Sequence, residues 1–261
     1  MTPAAGEKSF KRRLDGRGTQ IGMWACSGSA VVTEICAGAG FDWLIVDAEH
    51  SPNDVASIQA QLQVAEAYPP AVVVRPPVGE AVILKQYLDV GVRNLLMPMV
   101  ESAAQARELV RFVTYPPRGI RGLGAGLARA SQWGRDTDYL AKADETITVI
   151  VLIESMRGVD AAADIAAVEG VDGVLIGPSD LAASMGLLGM QGDPAVVTAV
   201  ERCIRAVQSV GKPVGVNAFD EKLARQYIGA GVDFISVAAD VSVLARGTEQ
   251  VAARYAPGSA T

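Results

Sequence analysis

The chain has 261 residues, 50% of them hydrophobic and 20% charged, with a formal net charge of -6. That length suits one large domain or two small ones, with enough core to need no disulfides. An acidic balance with no stripe of Lys or Arg argues against nucleic-acid binding, and apolar runs as short as TVIVLI argue against a membrane span.

The start, KSFKRRLDGRG, is basic and is followed by no secretory apolar run, so it is expected to form a solvated first helix or arm. A soluble cytoplasmic protein is the default expectation. Cys26, Cys36 and Cys203 show no CxxC or paired spacing and read as small buried hydrophobes in a reducing compartment.

Eight short apolar runs follow in chain order, at 20–25, 43–47, 71–75, 93–98, 147–153, 172–177, 213–217 and 233–237. Each is nearly continuously apolar, as a strand buried on both faces should be. Amphipathic stretches lie between them. One, NDVASIQAQLQVAEA, puts Val55, Ile58, Leu62 and Ala65 on a single stripe; another, VVTAVERCIRAVQSVG, ends at Gly211. Strands alternating with helices imply parallel pairing, because parallel neighbours need a crossover. Eight such units over about 250 residues predict a single-domain (β/α)8 barrel, with a doubly wound open sheet as the alternative. The turns AGAGFDWL, DVGVRNLL, VEGVDGVL and GAGVDFIS look like one helix-to-strand joint used repeatedly, with Gly ending the helix. The tail APGSAT is expected to fray.

The fourth and fifth strands are separated by a long insert, Glu101 to Thr146, which contains YPPRGIRGLGAGLARASQWGRD. Its glycines do not follow a strand and lack an acidic partner, so they are weak evidence for a nucleotide site. Composition leaves open a loop closing over an active site or a plain surface loop.

In a barrel, functional groups belong at the C-terminal ends of the strands. Those ends carry Asp47, Glu49 and His50 after the second strand, Arg75 after the third, Glu154 after the fifth and Asp180 after the sixth. A buried strand has no structural need to finish in a charge. Glu154 and Asp180 end neighbouring strands, and two such carboxylates suit Mg2+, Mn2+ or a similar divalent ion. With no His/Cys cluster, a structural zinc site is excluded. Arg75, followed by two prolines, is a fixed guanidinium for a carboxylate or a developing oxyanion. His50 is the only histidine and the natural proton-transfer group. Lys85, Lys142, Lys212 and Lys222 fall on helices or before strands, so none is placed as a Schiff-base nucleophile.

Together, GFDWLIVDAEHSPND, VVVRPP, YPPRGIRGLGAGLARASQW, LIES and DGVLIGPSDLAASMG resemble the HpcH/HpaI family of metal-dependent class II pyruvate aldolases, in order from about Gly22 to Asp240. The resemblance implies a (β/α)8 barrel that reversibly cleaves a 4-hydroxy-2-oxo acid to pyruvate, or hydroxypyruvate, and an aldehyde through a metal-stabilised enolate, with Mg2+, Mn2+ or Co2+ as cofactor. It implies Glu154 and Asp180 as metal ligands, His50 as general base, Asp47 as its carboxylate partner and Arg75 at the carbonyl. It makes Asp89 an acid that raises the histidine's basicity from a neighbouring chain. For substrate binding it implies Trp24, Leu152, Ser179, Asp180 and Asn217 beside Arg75. It also implies a hexamer, a trimer of dimers with exchanged C-terminal helices.

Two positions depart from the family pattern. Leu152 stands where many members have Gln, and Asn217 stands where an apolar residue often lines the pocket. Asn217 either turns inward to meet a substrate hydroxyl or caps the following helix through NAFDE. The alternatives to an aldolase are a citryl-CoA lyase-like enolate enzyme and a catalytically silent oxo-acid-binding barrel.

Overall fold

The structure is a computed structural model and describes residues 9–14 and 18–256. Eight parallel strands, β1 (Gln20–Ala25), β2 (Trp43–Asp47), β3 (Ala71–Arg75), β4 (Asn94–Met97), β5 (Thr148–Ile153), β6 (Gly173–Ile176), β7 (Val214–Asn217) and β8 (Phe234–Ala239), close into a barrel in sequence order. The helices that matter for the site and its surroundings are α1 (Phe10–Arg13), α2 (Ala30–Ala37), α3 (Val55–Ala65), α4 (Ala81–Asp89), α5 (Ala103–Val113), α6 (Tyr139–Thr146), α7 (Met156–Asp160), α8 (Ala162–Ala166), α9 (Pro178–Ser184), α10 (Pro194–Ser209), α11 (Glu221–Gly229) and α12 (Asp240–Arg254). No helix among the described residues is long and apolar enough to cross a membrane.

All eight expected strands form, and several are trimmed by a residue at their ends. The open-sheet alternative is excluded, because β1 pairs with β8 as well as with β2. The repeated joint is also present. Gly40, Gly91, Gly170 and Gly231 all have positive φ, between 83° and 104°, which L side chains rarely adopt. Of the predicted apolar stripe on α3, Ile58, Leu62 and Ala65 are buried and Val55 is half-buried.

Successive residues of a strand face opposite ways, so alternate positions fill the barrel. At the end where the strands begin, Phe10, Trp43 and Phe234 form a plug, with ring centroids 4.9 to 5.6 Å apart. Backbone glycines make room for it. A Cβ on Gly22 would meet Trp43, and one on Gly215 would meet the Phe234 ring at 2.4 Å. The plug corrects the expectation of a solvated N-terminal arm: Phe10 is fully buried, and its N–H donates to Asn94 Oδ1 at 2.9 Å. One aromatic side chain in a basic stretch outweighs its charged neighbours, because Lys11 and Arg13 reach backbone carbonyls at the barrel's edge. Most of the APGSAT tail lies outside the described residues.

The insert is not a single loop. Its first part is the ordinary barrel helix α5, its last part is α6, and the middle holds two short 3-10 turns. It packs against the C-terminal ends of α3 and α4. Arg129 donates to Val90 O at 3.1 Å and pairs with Glu66, and Arg121 bonds Asp89. Those helix ends lead into the starts of strands, opposite the rim where the strands end. Within one chain the insert is therefore a surface segment and does not cover the candidate site.

Candidate active site at the carboxyl ends of the strands

Parallel register sets Asp47 directly beside Arg75. Arg75 Nε donates to Asp47 Oδ1 at 2.8 Å, and its Nη1 lies 2.9 Å from Glu49 Oε2. The guanidinium also lies over the Trp24 ring, 4.4 Å from its centroid. Arg75 is only 7% exposed, so two carboxylates and an aromatic face hold a largely desolvated cation in one orientation.

The Asp47 carboxylate has further work in the turn after β2. It accepts the N–H groups of Glu49 and His50, at 3.0 and 3.3 Å, and the Ser51 hydroxyl at 3.1 Å. Burial pushes its pKa up, but the bond and charge of Arg75, with these other donors, outweigh burial and hold it below the usual carboxylate range. Asp47 thus meets His50 through the backbone and not through the imidazole. The carboxylate nearest the ring is Glu49, with Oε2 3.9 Å from His50 Nε2. The His50 side chain is 66% exposed at the rim. Burial raises the pKa of Glu49; Arg75 and His50 oppose this, while Asp47 and Asp180 add to it.

Glu154 follows β5 and is 4% exposed. Its Oε1 accepts the Met99 N–H at 2.8 Å. Met99 presents that N–H from a left-handed backbone conformation, φ 54°, unusual for a residue with a side chain. Across from it, a Cβ on Gly177 would sit 3.1 Å from Glu154 Oε2, so glycine there leaves the carboxylate its space. Burial raises the Glu154 pKa to about 7; the Met99 N–H opposes this, and the charges of Asp180 and Glu49 reinforce it. Asp180 and Ser179 are exposed in the first turn of α9. Leu152 points into the barrel two residues below Glu154, 2% exposed, and packs in the same apolar cluster as Trp24.

On the far side of the mouth, Trp24 Nε1 donates to Asn217 Oδ1 at 3.0 Å and to Ser236 Oγ at 3.1 Å. Asn217 is not the helix cap. Asp220 caps α11, accepting the Leu223 N–H at 2.9 Å, because the chain makes two more residues of turn before the helix begins.

Within one chain Asp89 stands away from this site, as its expected action from a neighbouring chain requires. It ends α4, beside the insert, where Arg121 Nη2 donates to its Oδ1 at 3.1 Å. The remaining expected residues, Trp24, Asp47, His50, Arg75, Leu152, Glu154, Ser179, Asp180 and Asn217, line one end of the barrel. Glu49 and Ser236 join them. Ser236 was detectable by parity, being two residues after the inward-facing Phe234; the role of Met99 rests on backbone geometry that no residue type announces.

Fold and rim together define a (β/α)8-barrel enzyme with a carboxylate-rich mouth and one pinned guanidinium. The chain belongs to the HpcH/HpaI aldolase/citrate lyase family, whose model matches residues 20–247. It is 51% identical to the hydroxypyruvate/pyruvate aldolase of Deinococcus radiodurans, over 95% of this chain and 89% of that protein. It is 47% identical to the 4-hydroxy-2-oxo-heptane-1,7-dioate aldolase of Escherichia coli, over 95% of each. Among solved structures, an HpcH/HpaI aldolase/citrate lyase family protein from Burkholderia cenocepacia matches with a TM-score of 0.90 at 43% identity, covering 94% of this chain and 98% of that one.

Proposed function

We propose that this chain catalyses the reversible, divalent-metal-dependent aldol cleavage of a 4-hydroxy-2-oxo acid to an aldehyde and pyruvate or hydroxypyruvate. The observation that carries this reading is electrostatic. The buried Glu154 carboxylate feels the like charges of Asp180 and Glu49, and Glu49 in turn lies 2.9 Å from the Arg75 guanidinium. Carboxylates gathered in this way fit a hard cation, and Glu154 and Asp180 are the residues that would hold it. When bound, Mg2+, Mn2+ or Co2+ supplies Lewis acidity toward the carboxylate and 2-oxo group of the substrate. The names of the two curated relatives support the same substrate class.

The chain's own groups account for the proton and charge movements. In the cleavage direction His50, exposed on the rim, takes the proton of the 4-hydroxyl. The electron pair left on that oxygen forms the π bond of the aldehyde carbonyl, the C3–C4 bond breaks, and its electron pair becomes the C2–C3 double bond of the enolate as the 2-oxo π pair moves onto its oxygen. Arg75, held by Asp47 and Glu49, compensates the negative charge as it shifts between oxygens. Protonation at C3 completes release of the oxo acid. Trp24 and Leu152 exclude water from the floor of the mouth, and Ser179 and Asn217 flank the oxo acid.

The assembly we propose is a hexamer, a trimer of dimers exchanging C-terminal helices, working in the cytoplasm. Its support is α12, where Val243, Leu244 and Val251 are each more than half exposed, an apolar surface that a partner would cover. Light scattering measures the assembly's mass. For the reaction, 4-hydroxy-2-oxo acids are screened in an assay coupled to lactate dehydrogenase, with and without Mg2+, Mn2+ and Co2+. Product release that needs an added ion supports the reading; no release from any member of the panel opposes it.

A further inference from the structure

The amide of Asn217 is oriented by its neighbours so that one end is engaged and the other is free. Gly215, two residues earlier on β7, faces the Phe234 ring inside the barrel, and strand periodicity turns Asn217 inward as well, at the mouth. An indole N–H only donates, so the amide must turn its oxygen toward Trp24. That oxygen accepts both Trp24 Nε1 at 3.0 Å and Ser236 Oγ at 2.7 Å. Ser236 Oγ in turn accepts from Trp24 Nε1, so the triangle closes and leaves no freedom for an amide flip. Nδ2 has no acceptor among the described residues, and Asn217 is half-buried. The same indole carries the Arg75 guanidinium over its ring, so the unengaged donor lies one side chain away from the group that faces the substrate's carbonyl.

We propose that Asn217 is a specificity-determining residue, and that its Nδ2 donates to a hydroxyl on C3 of the 2-oxo acid. This rests on the aldolase reading and deepens it: the chain selects 3-hydroxylated oxo acids, of which hydroxypyruvate is the smallest, over pyruvate. The methyl group of pyruvate displaces water from the amide and gives it nothing in return. One neutral hydrogen bond corresponds to a preference of about two- to thirteen-fold.

Two measurements test it. Calorimetric titration of the metal-loaded wild-type protein, without aldehyde, should show hydroxypyruvate binding more tightly than pyruvate by that factor. Equal binding, or tighter binding of pyruvate, overturns the proposal and needs no variant. Asn217→Leu, checked for folding by circular dichroism, should then move the ratio of initial aldol rates for the two nucleophiles, with one shared aldehyde, toward pyruvate. A purely structural Asn217 would lower both rates together, and an unchanged ratio in folded N217L overturns the proposal. If neither nucleophile gives product with the wild-type protein, it is the aldolase reading that fails.

Discussion

Arg75 and Asp47 occupy paired positions on adjacent strands, and their side chains meet at 2.8 Å, both almost wholly buried. The pair does two things at once. It fixes the plane of the guanidinium over Trp24, and it anchors the turn that carries Glu49, His50 and Ser51. Arg75→Lys keeps a charge but loses the fork that spans Asp47 and Glu49. Aldol turnover should fall about 10^2- to 10^3-fold, as when an oxyanion-stabilising donor is lost. Steady-state kinetics reads this, and near-normal turnover in R75K would remove the guanidinium's geometry from the mechanism.

Removing Asp47 should act on stability as well as rate. Asp47→Asn leaves a buried cation with one carboxylate fewer and weakens the turn, a loss on the order of 3 kcal/mol. Urea denaturation of the two proteins measures it. The pH dependence has a definite sign: the native pKa is below the unfolded one, so this contribution is present above the unfolded pKa and lost as pH falls through the native one.

His50→Ala should separate catalysis from folding. The side chain is 66% exposed, so its loss should leave the melting temperature nearly unchanged while turnover drops about 10^2- to 10^4-fold. Thermal melts and initial rates on the same preparation test both halves. A large drop in melting temperature would show that the ring supports the fold.

Much of this was legible beforehand because a barrel repeats one simple pattern. Eight apolar runs with glycine joints leave little choice of fold, and the carboxyl ends of those runs point to Asp47, Arg75, Glu154 and Asp180 without reference to contacts. The pairings were not legible. Asp47 is only three residues before His50 yet meets only its backbone, because the turn after β2 carries the imidazole outward to the rim. The fate of Asn217 depended on how many residues separate a strand from its next helix, which the pattern NAFDE leaves ambiguous. Phe10 was hidden among five basic residues because burial of one ring depends on distant partners, Trp43 and Phe234.

The plug makes a prediction about stability alone. Phe10→Ala removes a fully buried ring from an aromatic trio and should cost about 3–5 kcal/mol in unfolding free energy. Kinetic constants of the folded fraction should stay close to wild type, because the plug lies at the end of the barrel away from Arg75. A stability change well under 1 kcal/mol, read by denaturant titration, would mean that the barrel closes without it.

Glu154 links the central claim to pH. Its native pKa of about 7 lies above the ordinary 4.5, so between those values the metal-free native state binds more protons than the unfolded chain, and its stability falls as pH rises through that window. A cation must displace that proton. The most direct measurement is therefore Mn2+ affinity by calorimetry at about pH 5.5 and about pH 8, run alongside the retro-aldol rate of exhaustively chelated enzyme before and after Mn2+ is restored. The account predicts binding about 30-fold weaker at the lower pH, activity abolished by chelation and recovered with the ion, and both responses lost in Glu154→Gln. Undiminished cleavage after exhaustive chelation would contradict it.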